Sequence, residues 1–179
     1  MQNQINAYKR SIAGARSRVA GQTFEDAIEM ACKWYEVTGM LKATKTPEPM
    51  KPISKPNAKG QFMACFTKKA QVDFCGTMRG GRSVRFEAKH TEGDRIERRR
   101  VSGDQQKDLR CHHNLGALCF VLVCFNFSNF YRVPWMVWNN MKEIYGRLYV
   151  TEEDLAKYRI PYEGGIVKFM YGIEDGGAV

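Results

Sequence analysis

The chain reads as a mixed α/β domain in which one central sheet is flanked by helices, and three features predict this. Apolar residues recur at helical spacing through Phe24, Ile28, Ala31 and Tyr35. A continuous apolar run, Leu118 to Phe125, has the length of a buried strand. Between them lie short extended segments, two of them joined by a glycine turn. A helix, strands with a hairpin, a second helix and two more strands build such a layered domain. At 179 residues, 44% of them hydrophobic, the chain is long enough for one substantial core and short for two.

In chain order, residues 1–20 are polar and basic and read as a flexible arm. Thr23, followed by Glu25 and Asp26, has the character of a helix N-cap, and Gly39 that of a C-terminal stop. From Lys45 to Lys59 four prolines stand among lysines, which excludes a helix or a central strand and predicts a linker or protruding loop. Strand-like segments follow around Cys65, around Asp73 and from Val84 to Lys89, the last two joined through Arg79-Gly80-Gly81-Arg82. Ser102 and Gln105 have capping-box spacing and open a helix that ends near Gly116. After the apolar strand comes Phe130–Val133, closed by Pro134, and Thr151 to Asp154 is a further cap opening a short helix near Lys157. The expected organisation is an arm (1–20), a main domain (21–150) and a C-terminal helix and tail (151–179).

The formal net charge is +9, gathered in three places. These are Lys9, Arg10, Arg16 and Arg18 near the start, the lysines between 42 and 69, and the run Arg95 to Arg100. Such clusters in irregular segments suit phosphate contacts and a polyanionic partner. No apolar run reaches the roughly 18 residues of a membrane span, and no secretory signal is evident. Six cysteines without a CxxC pair, several inside apolar segments, read as reduced thiols, so a cytoplasmic protein is expected. Cys111-His112-His113 is a poor soft-metal site, because neighbours on a helix point about 100° apart and no second pair lies nearby.

The chemistry concentrates in VDFCGTMRGGRSVRFEAKHT. On a strand Glu87 and Lys89 project from one face while Phe86 and Ala88 face the other. Asp73 lies on the preceding strand of the hairpin, where pairing would bring its carboxylate near Glu87. Two carboxylates at one point form a hard-oxygen site suited to Mg2+, with Lys89 placed to orient a water or stabilise developing charge in phosphodiester hydrolysis. The bland alternative is an ordinary surface ion pair, since Glu-x-Lys on a strand is common. Gln105 has a similar choice between a cap and a site contact, and Glu25 between a site acid and a first-turn carboxylate favoured by the helix dipole. Phe130, Tyr131, Trp135 and Trp138 could stack on bases but fit a core or dimer interface better.

The spacing from Asp73 to Glu87-Ala88-Lys89, with a glutamate on an earlier helix, resembles the PD-(D/E)xK nuclease superfamily. Within it, residues 21 to 135 are similar to the RecU-family Holliday-junction resolvases. The resemblance rests on Gly21, Phe24-Glu25, Thr46-Pro47, Phe66, Asp73, Phe86 to Lys89 with Thr91, and Gln105 spaced before Gly116 and Cys119-Phe120-Val121. It implies a restriction-endonuclease-like mixed sheet with a protruding stalk at about 45–68. It also implies Asp73, Glu87 and the Ala88 carbonyl as Mg2+ ligands (Mn2+ substituting), Lys89 as the nucleophile-positioning group and Glu25 as a further acid. Thr91 and Gln105 would support the site. Lys55, Lys59, Phe66 and Lys68 of the stalk, with Arg16, Arg18, Arg98, Arg99 and Arg100, would contact DNA. The implied partner is a four-way junction, whose two-fold symmetry suits a homodimer. Val19-Ala20-Gly21 departs from the family's Asn-Arg-Gly, the Asp-to-Glu spacing is one residue longer, and the stalk sequence matches poorly. Small size and that stalk would suit a phage-encoded protein. The rival readings are a PD-(D/E)xK endonuclease for other DNA and a non-catalytic DNA-binding module.

Overall fold

A computed structural model describes residues 23–66 and 71–173. The basic arm with Arg16 and Arg18, and Lys68 of the stalk, lie outside the described residues. Helix α1 occupies residues 23–37 and ends at Gly39, whose φ of +68° lets the chain turn without a Cβ penalty. Thr23 is the first described residue of this helix.

A six-stranded sheet follows, made of β1 (Leu41–Lys45), β4 (Phe74–Met78), β5 (Ser83–Thr91), β7 (Leu118–Phe125), β8 (Asn129–Pro134) and β10 (Arg159–Ile160), in the order β1-β4-β5-β7-β8-β10. The β5–β7 pair is parallel and the other four pairings are antiparallel. Parallel strands need a crossover, here helix α2 (Gly103–Asn114). The expected mixed sheet between helices is therefore present.

Strand alternation divides the interior into two cores. On one face α1 buries Phe24, Ile28, Ala31 and Tyr35 against Val84, Phe86, Phe120 and Leu122. On the other face α2, α3 (Trp135–Asn139) and α4 (Met141–Tyr145) cover Cys119, Val121, Val123 and Phe125. Phe130, Tyr131, Trp135 and Trp138 are all buried, which assigns them to the cores and not to base stacking. Phe74, Phe86 and Phe120 stack in series across β4, β5 and β7, with centroids 5.0 and 4.8 Å apart. This ladder fixes the register in which Phe74 faces Phe86 and therefore sets Asp73 beside Glu87.

The proline-rich segment forms a hairpin of its own, β2 (Met50–Pro52) with β3 (Ala64–Phe66), both strands exposed and, among the described residues, paired to no strand of the main sheet. At its turn Asn57 Oδ1 accepts from the Lys59 and Gln61 amides.

The C-terminal third departs from expectation. Thr151 ends strand β9 (Tyr149–Thr151), which pairs with β6 (Arg95–Glu97), and the cap signal folds into a turn before a single 3-10 turn, Ala156–Tyr158. Its reciprocal bonds do form: the Thr151 amide donates to Asp154 Oδ2 and the Asp154 amide to Thr151 Oγ1. Residues 159–160 join the sheet and Phe169 is fully buried against Tyr35, Phe86 and Phe120, so this segment completes the core. A small hairpin, β11 (Tyr162–Glu163) with β12 (Ile166–Val167), precedes that phenylalanine.

Candidate active site

The site lies at a fork between β4 and β5. Backbone pairing runs from Thr77 opposite Ser83 to Phe74 opposite Phe86 and then stops. Beyond it, side chains take over the bonding. The Asp73 amide donates to Glu87 Oε2 at 3.1 Å, and the Ala88 amide donates to Asp73 Oδ2 at 2.9 Å. A strand residue turns its N–H and C=O to the same edge, so the Ala88 carbonyl also faces the Asp73 side.

Lys89 closes the cluster. Its ammonium bonds Glu87 Oε1 and lies 3.5 Å from Asp73 Oδ2. Asp73, Glu87 and Lys89 thus converge, as the two-residue strand period requires. Glu87 is fully buried, while Asp73 and Lys89 are mostly buried. Burial pushes the Glu87 carboxyl up to about 8, against the opposing pull of Lys89. Burial also disfavours the Lys89 ammonium, but the two carboxylates outweigh it and raise its pKa.

Gln105 resolves its two readings by having both roles. Its Oε1 accepts from the Ser102 amide at 2.9 Å, completing the capping box of α2, while its Nε2 donates to Glu87 Oε1. Thr91 does not join the cluster. Its hydroxyl accepts from the Gly93 amide at 3.1 Å and shapes the turn after β5.

Glu25 lines a cleft of about 210 Å³ together with Lys45, Thr46, Glu48 and Asp73. It pairs with Lys45 at 2.5 Å, whereas Glu87 and Lys89 are bonded to each other. The pairing with Glu25 is the largest influence raising the Lys45 pKa, to which Asp73 also adds. Thr46 donates its amide to the Asp73 carbonyl at 2.8 Å, so the end of β1 abuts the fork. Lys45 was missed in the sequence because β1 was not recognised as a strand; Thr46 was noticed only as the opening of the stalk.

Among the described residues no three His, Cys, Asp or Glu side chains converge as a metal cage. The donors at the fork nevertheless suit a hard divalent cation: two carboxylates, one of them a buried acid that a nearby positive charge would stabilise, and a carbonyl edge.

Of the expected DNA contacts, Phe66, Lys55 and Lys59 are exposed on the stalk hairpin. The arginine run lies in a 3-10 turn just before α2 and is partly committed within the fold. Arg98 and Arg110 both donate to Asn139 Oδ1, Arg99 pairs with Glu97, and Arg100 donates to the His90 carbonyl at 3.0 Å.

A family match over most of the chain places this mixed sheet in the class of endonucleases that resolve Holliday junctions in recombination. The chain is a member of the RecU family: the family model for Recombination protein U matches residues 19–171. That match runs past residue 135, where the resemblance in the sequence had ended, and takes in β9, β10 and Phe169. Among solved structures the chain is similar to Hjc of Archaeoglobus fulgidus, described as a Holliday junction resolvase from an archaeal hyperthermophile. The identity is 13% and the TM-score 0.47, over 76% of this chain and 93% of that one. No curated protein sequence matches.

Proposed function

We propose that this resolvase cleaves with Mg2+ held by Asp73, Glu87 and the Ala88 carbonyl, and that it acts as a homodimer. The observation that supports the reading is the convergence of both carboxylates on the Lys89 ammonium at the fork. A bound divalent ion would supply Lewis-acid polarisation of a phosphoryl oxygen. Lys89, beside both carboxylates, would orient the attacking water and offset developing negative charge. Gln105 holds the Glu87 carboxylate in one rotamer from the rigid first turn of α2.

The stalk hairpin, with Lys55, Lys59 and Phe66 exposed, would enter the open centre of the junction, where phosphates converge and bases lose stacking partners. Arg99, whose side chain is 85% exposed, is the arginine of its run best placed for phosphate. Two protomers related by a two-fold axis would present two sites to the symmetric pair of strands.

The test is cleavage of a mobile four-way junction beside a linear duplex of the same sequence, with Mg2+ or with chelator. The reading predicts paired symmetric nicks in the junction only, lost with chelator. Equal rates on the linear duplex would reject junction selectivity. Binding without nicking in either Mg2+ or Mn2+ would reduce the fork to a structural ion pair.

A further inference from the structure

The carboxylates around the fork do not act together. Asp73 and Glu87 share the Lys89 ammonium. Glu25 lines the same cleft as Asp73, but its carboxylate is taken by Lys45, the last residue of β1. The pairing is built into the fold. Lys45 faces Phe74 across the β1–β4 ladder, one residue from Asp73, and Thr46 bonds the Asp73 carbonyl. Gly76 permits this approach, since a Cβ there would stand 2.6 Å from Ala43 Cα. Glu25 is fixed from the other side by the burial of its neighbour Phe24.

We infer that Lys45 is a positioning residue that keeps Glu25 out of the metal's ligand set, so that the DNA-free enzyme holds its divalent ion through two carboxylates and not three. This rests on the reading of Asp73 and Glu87 as the metal-holding pair. Lys45 and Glu25 retain side-chain exposures of 39% and 26%, and a partly exposed pair of this sort is weak enough for a ligand to open. An arriving phosphate competes with Glu25 for the ammonium. Lys45 is therefore placed to couple substrate arrival to the acidity of the site.

The experiment is calorimetric titration of DNA-free protein with Mn2+. Lys45→Gln frees Glu25 to join the site and is expected to tighten Mn2+ binding by about tenfold, because cation affinity follows the number of ligand charges. Lys45→Arg keeps the pair and should stay within about twofold of the parent. The double variant Glu25→Gln/Lys45→Gln removes a neutral pair and should also match the parent; it serves as well if the single variant does not fold. Two results would overturn the inference. One is that Lys45→Gln leaves affinity unchanged or tightens it equally when Glu25 is already glutamine, a general charge effect. The other is a loss of about fivefold or more in the double variant, which would make Glu25 a resident ligand. Asp73→Asn separates the two levels. If it leaves Mn2+ binding intact, the site reading itself falls; if it removes binding while Lys45→Gln has no effect, only the role of Lys45 does.

Discussion

Glu87 is fully buried, and its carboxyl is pushed up to about 8 by that burial, so near neutral pH much of it is protonated in the metal-free protein. A divalent cation must then displace a proton. Metal affinity is expected to rise with pH until about 8 and to level off above it, which Mn2+ titrations at a series of pH values would show; a flat profile would contradict it. The stability effect has a definite sign. A carboxyl whose folded pKa is raised supports folding fully below its ordinary value near 4.5, and that support is lost as pH rises through about 8. Thermal melts of the metal-free protein should show this loss and Mg2+ should reverse it. Asp154 has the opposite sign. Burial opposes its ionisation, but the Thr151 amide and hydroxyl and the Arg147 guanidinium hold its pKa below the ordinary range, so its contribution is lost only in acid. At this scale the site was legible because a period of two puts Glu87 and Lys89 on one face whatever the tertiary context. The bond from Gln105 to Glu87 was not, because it needs the docking of α2 onto β5.

At the scale of elements, two close fits hold the fork in place. Gly76 lies under β1, where an added methyl would collide with the backbone of Lys42 and Ala43. Gly76→Ala is expected to cost about 1–3 kcal/mol and to loosen β1, measured by chemical denaturation and by weakened cleavage. Ser102→Ala removes the N-cap of α2, with an expected loss of about 1 kcal/mol. It also slackens Gln105, so cleavage should fall by more than the stability change alone explains. The strands with strong apolar patterns, β5, β7 and β8, were readable along with the Gly80-Gly81 hairpin and the capping box. β1 was not: LKATK buries only Leu41 and Ala43, too few for an alternation to stand out. α3 and α4, five residues each, are below the length at which helical period is detectable. The pairing of Ile96 with Val150 joins segments more than fifty residues apart, a contact no local pattern announces.

The whole chain, at a formal charge of +9, combines a projecting hairpin with a recessed acidic site, as befits a RecU-family resolvase. Binding led by phosphate contacts releases counterions, so junction affinity should drop by about a thousandfold or more between roughly 50 and 200 mM salt. A slope near zero in an equilibrium binding series would contradict a phosphate-led interface. The measurement that bears most directly on the account is made on Asp73→Asn, whose side chain keeps its shape and loses its charge. Bound to a four-way junction in Mg2+, this variant is predicted to retain affinity within about threefold of the parent while nicking falls by about a thousandfold. Nicking at the parental rate by a folded, junction-bound Asp73→Asn protein would show that the fork is not where the phosphodiester is cut.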